Sequence, residues 1–169
     1  MHYRWMLILA MFALSLFWVG CPFVSRVPIA QTGAPLDARL VGLWADADPS
    51  DPDSLRLLIV PFNTTEYYAE LREDRDEITR YRAFPFDLAG EPYLHIDLLN
   101  PDAEQASYFF ARWSLSEDGL LLLDVIGEDA VPESLQTDAA ALTAYLTAHR
   151  GDPTLRDADT SLKMRRIER

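Results

Sequence analysis

From Ala38 to Ile126, short apolar runs follow one another at intervals of about ten residues, each closed off by residues that favour turns. The runs lie at 38–45, 55–62, 66–71, 78–86, 93–99, 107–115 and 120–126. Between them stand "DADPSDPD" at 46–53, Asn63 with two threonines, "REDRDE" at 72–77, "DLAGEP" at 87–92, "NPDAEQ" at 100–105 and "SEDG" at 116–119. The runs are rich in aromatic and branched side chains, which suit a pleated, half-buried surface. Seven such segments predict a meander of antiparallel strands.

The alternation within the runs says what covers them. In 93–99, Leu94, Ile96 and Leu98 alternate with Tyr93, His95 and Asp97, so one face is apolar and the other polar, with His95 beside Asp97. In 107–115, Phe109, Ala111, Trp113 and Leu115 share a face, yet Tyr108, Phe110 and Arg112 opposite them are also largely apolar. Such a strand is covered on both sides, for instance by a helix outside a barrel. Pro85 marks an edge or a bulge, because it cannot donate to a ladder.

At 137–151, "TDAAALTAYLTAHRG", the period changes. Leu142, Tyr145, Leu146 and His149 fall on one helical stripe, Thr137 or Asp138 can cap its start, and Gly151 followed by Pro153 stops it. "SLKMRRI" at 161–167 alternates again and predicts a last short strand. The expected fold is therefore mainly β: an antiparallel meander closing into a small barrel, with one C-terminal helix and a final short strand.

Within the first strand stands Gly42-Leu43-Trp44. This motif, with the order of strands, helix and short strand, resembles the lipocalin-like or calycin pattern. The resemblance implies that Trp44 packs across the closed end of the barrel under a basic residue from near the carboxyl end, Arg165 or Arg166. The alternative is that Trp44 is an ordinary core aromatic of a β domain. The resemblance further implies a small apolar ligand inside the barrel, if the barrel is open and lined by Tyr67, Tyr81, Phe84, Phe109 and Trp113. If those side chains fill the interior, only the surface remains, for a protein partner.

The amino-terminal segment bears on location. Arg4 is followed by a stretch without charge from Trp5 to Gly20, which ends at Cys21, the single cysteine. A basic start, an apolar stretch and a small residue describe a secretory signal peptide over 1–20. Those 16 uncharged residues are fewer than the roughly 20 that span a bilayer core comfortably, so a retained anchor is the weaker alternative. Val19-Gly20-Cys21 resembles the lipobox of bacterial lipoproteins, with Trp18 where that family usually has leucine. The resemblance implies cleavage before Cys21 and acylation of it, and two or more acyl chains hold a protein on a membrane stably. With Pro22 following the cysteine, it also implies the outer membrane, facing the periplasm, in a host with two membranes. Cleavage leaves 149 residues, one ordinary domain. Residues 21–37, with three prolines and no period, read as a lipidated tether reaching on the order of 50 Å when extended. The domain proper spans 38–169.

Charge excludes one class of partner. The chain carries a net −12, and the leader holds none of the acidic residues, so the mature surface repels phosphate backbones and anionic headgroups. Nucleic acid is not an expected partner, and attachment to a membrane has to come from lipid on Cys21 rather than from a basic patch. Chemistry finds little material. Asp46, Asp48, Asp51 and Asp53 resemble the start of a calcium loop, but Asp51 occupies the position of the required glycine and Leu57 that of the bidentate glutamate. His95 and His149 are the only histidines after the leader, and no zinc-ligand spacing or nucleophile elbow is present. Asp97 and Asp124 form a carboxylate dyad only if their strands are neighbours. The expectation is a non-enzymatic binding or interaction domain of the cell envelope, without metal or cofactor, with an envelope enzyme as the third-ranked reading.

Overall fold

The computed structural model describes residues 22–29, 34–48, 55–73, 77–99, 107–157 and 160–167. The leader and Cys21 lie outside the described residues. Eight strands follow in chain order: β1 Gly42–Asp46, β2 Arg56–Pro61, β3 Tyr67–Arg72, β4 Ile78–Leu88, β5 Glu91–Leu98, β6 Tyr108–Leu115, β7 Leu121–Val125 and β8 Leu162–Arg166. Each pairs antiparallel with its neighbours in sequence, and β8 pairs with both β7 and β1, closing the barrel. Helix α1, Ala139–Ala148, stands between β7 and β8. The last short strand is thus the eighth stave of the barrel, which accounts for the count of seven before the helix.

Local chemistry sets the turns. β4 and β5 are joined by Ala89 and Gly90, both with positive φ, and the Gly90 amide donates to Asp87 Oδ1 at 2.8 Å. Two left-handed residues in succession match the twist of a two-residue hairpin. Pro85 falls where β4 has run past the end of β3, whose last partner is Tyr67 opposite Ala83. Its missing N–H leaves no ladder bond unmade there, and its carbonyl accepts from the Ala34 amide at 2.7 Å.

Two apolar layers result. Inside the barrel lie Leu40, Trp44, Leu57, Ile59, Tyr67, Leu94, Trp113, Leu121 and Met164. Outside it, the β4–β5–β6 wall carries Phe86, Tyr93 and Phe110, covered by Leu142 and Leu146 of α1, by Leu155 and by Phe23. Asp138 caps the helix, accepting from the amides of Ala140 and Ala141, and the His149 ring sits 2.8 Å from the Tyr145 carbonyl at the other end.

Phe23 overturns part of the tether reading. Residues 22–29 are docked on the barrel: Phe23 and Ser25 are fully buried, and Ser25 exchanges two backbone hydrogen bonds with Tyr108 at 2.9 and 3.0 Å. The reason lies in the register. β7 pairs with β6 only from Ala111 onward, so the start of β6 has a free edge. The amino-terminal arm takes it, and the Phe23 amide bonds the Ile126 carbonyl at 2.8 Å.

Candidate ligand-binding cavity

One end of the barrel is sealed. Trp44 is fully buried, its indole N–H donates to the Leu40 carbonyl at 2.9 Å, and Leu40 itself is fully buried beside it. The Arg166 guanidinium lies over the indole, 4.4 Å from the ring centroid, and donates to the Val41 carbonyl at 2.5 Å and to the Arg39 carbonyl. Arg165, the other residue considered for this place, is exposed and pairs with Ala45 in the ladder. Gly42 makes the arrangement possible: a Cβ there would meet Arg166 Nη1 at 2.6 Å.

Above this seal the interior is hollow. A cavity of about 450 Å³ is lined by inward side chains of seven strands, β2 to β8, among them Leu57, Ile59, Leu94, Ile96, Leu123 and Leu162. Its room comes from three alanines. Ala83 faces Tyr67 across β3–β4, Ala69 faces Tyr81 across the same pair, and Ala111 sits opposite Leu94 and Val125. An eight-stranded barrel is just wide enough for side chains to fill, so small residues at adjacent inward positions leave space.

Of the five aromatic residues expected to line the interior, Tyr67, Tyr81 and Phe109 do so. Tyr67 is anchored at its tip, accepting from the Asp37 amide at 2.6 Å and donating to its carbonyl at 3.0 Å. Trp113 points inward but belongs to the sealed end, packed in the cluster of Leu40 and Trp44 with Arg39 5.8 Å from its ring centroid. Phe84 is on the outer wall, against His95 at 5.5 Å between centroids and under Arg82. Tyr81 and Phe84 are three residues apart, and in a period of two they cannot share a face.

The polar groups fall elsewhere than expected. His95 is buried rather than solvated: its ring lies among Phe84, Tyr108 and Phe110, and neither nitrogen has a hydrogen-bond partner among the described residues. Burial alone pushes its pKa down to about 4. Asp97 and Asp124 form no dyad, since β6 separates their strands, and Asp124 is held by Arg112 at 2.8 Å and Arg156 at 3.4 Å. Burial raises the Asp97 carboxyl above its ordinary value. Asp46 Oδ1 accepts from the Asp48 amide in a local turn, while Asp51 and Asp53 lie outside the described residues. Among the described residues no group of three or more His, Cys, Asp or Glu could hold a metal ion.

Sequence reading missed the aliphatic lining and the two polar groups at the open end, Glu73 and Thr160. The inward alanines were the available signal, since they stand at alternate positions with large residues on neighbouring strands. Fold and cavity together define a closed antiparallel barrel with a sealed base and an apolar chamber. No protein-family model matches the chain, and neither a curated protein nor a solved structure does.

Proposed function

We propose that this chain is a lipoprotein of a bacterial cell envelope, anchored through Cys21, whose barrel binds a small apolar ligand without transforming it. The observation that carries the reading is the cavity of about 450 Å³, within the roughly 300–1,000 Å³ usual for small-molecule sites and lined almost wholly by apolar groups. A hollow interior favours the carrier over the version in which only the surface is used. The seal of Gly42, Trp44 and Arg166 has the form that the lipocalin-like resemblance implies, and Val19-Gly20-Cys21 supports the anchor.

Two measurements test the two halves. Protein purified from its native membrane, denatured and extracted, should release one dominant small apolar compound by mass analysis. Ala83→Phe, which places a ring in the chamber, should retain the β circular-dichroism spectrum and lose that compound. Equal recovery from the variant would put the ligand outside the barrel. For the anchor, Cys21→Ser should abolish incorporation of labelled fatty acid and leave an unprocessed precursor; a processed protein that still partitions into detergent would refute lipidation.

A further inference from the structure

The chamber has one chemically distinct end. The strands β1, β3, β5 and β7 all finish on the side away from Trp44, and the lining there includes Glu73, Thr160 and Pro22. Among the described residues that line the cavity, Glu73, one residue past β3, is the only charged one, and none is Lys, Arg or His. The Thr160 hydroxyl oxygen is sheltered from water and has no hydrogen-bond partner among the described residues. The negative charge of Glu73 reaches the wall: the Tyr81 phenol is raised chiefly by burial and next by that carboxylate.

A ligand head placed at this rim meets acceptors and a negative charge. A carboxylate or phosphate there would face the exposed Glu73 carboxylate with no lining cation among the described residues to answer it, which is unfavourable. An ammonium group at the rim answers the Glu73 charge, and its N–H groups suit an acceptor such as the Thr160 hydroxyl oxygen. The surroundings act in the same direction. By sequence, the segments that join β1 to β2, β3 to β4 and β5 to β6 carry nine acidic residues against Arg75 alone, the described Asp48, Glu73 and Glu77 among them. Such a field raises the local concentration of cations and repels anions, in a salt-dependent way.

Resting on the reading of the barrel as a ligand carrier, we infer that the cavity takes an amphiphile whose polar end is a protonated amine, its alkyl part inside and its ammonium at the rim that carries Glu73, and that it discriminates against fatty-acid carboxylates. The discrimination is electrostatic and local, so it follows the sign of the side chain at position 73.

The test uses the full chain reconstituted in phosphatidylcholine vesicles, with the neutral fluorophore N-phenyl-1-naphthylamine as probe. Dodecylamine, dodecanol and laurate, which share one alkyl chain, compete for it at low salt and neutral pH. Vesicles with the chamber-blocked Ala83→Phe protein give the background, and the position-73 variants cancel partition into lipid. The amine should displace the probe at roughly tenfold lower concentration than laurate, consistent with one charge reversal at short range. Glu73→Gln should narrow that ratio and Glu73→Lys should invert it. Laurate competing as well as the amine, or one ratio in all three proteins, would overturn the inference while leaving the carrier intact. Probe fluorescence no higher than the blocked background would sink the carrier reading itself, and the amine preference with it.

Discussion

At position 42 the backbone has a φ of 152°, and the space a side chain would need is occupied by the Arg166 guanidinium. Gly42→Ala therefore strains the backbone and lifts the cation off Trp44, and should cost about 1–3 kcal/mol in urea unfolding. Trp44→Ala empties a fully buried site and should cost about 3–5 kcal/mol. His95 gives a test of another kind. Its imidazole is held near 4 in the folded protein against an ordinary 6.5, so between those values the unfolded chain binds a proton that the folded one refuses. Its neutral form is accommodated fully above about pH 6.5, and stability falls as the pH drops towards 4, by on the order of 3 kcal/mol for this group. His95→Phe keeps the ring contacts with Phe84, Tyr108 and Phe110 and has no proton to take up. The difference in unfolding free energy between wild type and variant should shift by that amount from pH 7 to pH 4. A constant difference would show that His95 does not titrate in this environment.

Elements with a local period were legible and those defined by a distant partner were not. All seven runs from 38 to 126 became strands, and 137–151 contains the helix, because alternation and the helical stripe are written within ten residues or so. Double-faced burial of β6 was legible for the same reason. That β8 lies between β7 and β1 depends on residues about forty and a hundred and twenty positions away, which no local pattern states. The arm at 22–29 was misread because its prolines suggest a free chain, whereas a vacant edge on β6 decides its place. Phe23→Ala should cost about 3–5 kcal/mol, where a free tether would give no change. Truncation after Asp157 removes β8 and should leave a chain with no cooperative unfolding transition, since the edges of β1 and β7 then lose their partner.

For the molecule as a whole, about half of the cavity could be read in advance. Tyr67, Tyr81 and Phe109 face inward as their strands alternate, but depth along the axis is not a property of alternation. Trp113 shares a face with Phe109 yet lies four residues, roughly 13 Å, nearer the seal. Under the proposed anchor, the charge of the rim predicts how the protein treats membranes. Transfer of N-phenyl-1-naphthylamine from vesicles into the lipidated barrel should slow as anionic lipid is added and recover in high salt, because the carboxylates of the open end are repelled by the headgroups. Transfer indifferent to both would place that end away from the bilayer.

The docked arm changes what an anchor at this point means. Pro22 lines the chamber and pairs with Gly127 just past β7, and Cys21 is one peptide bond away. Acyl chains on Cys21 would act as a hinge at the lip of the barrel rather than as a rope. With so little slack the chamber would exchange its contents sideways with the leaflet beneath it. The quantity that governs loading would then be a mole fraction within the membrane, and the ligand's solubility in water would hardly enter.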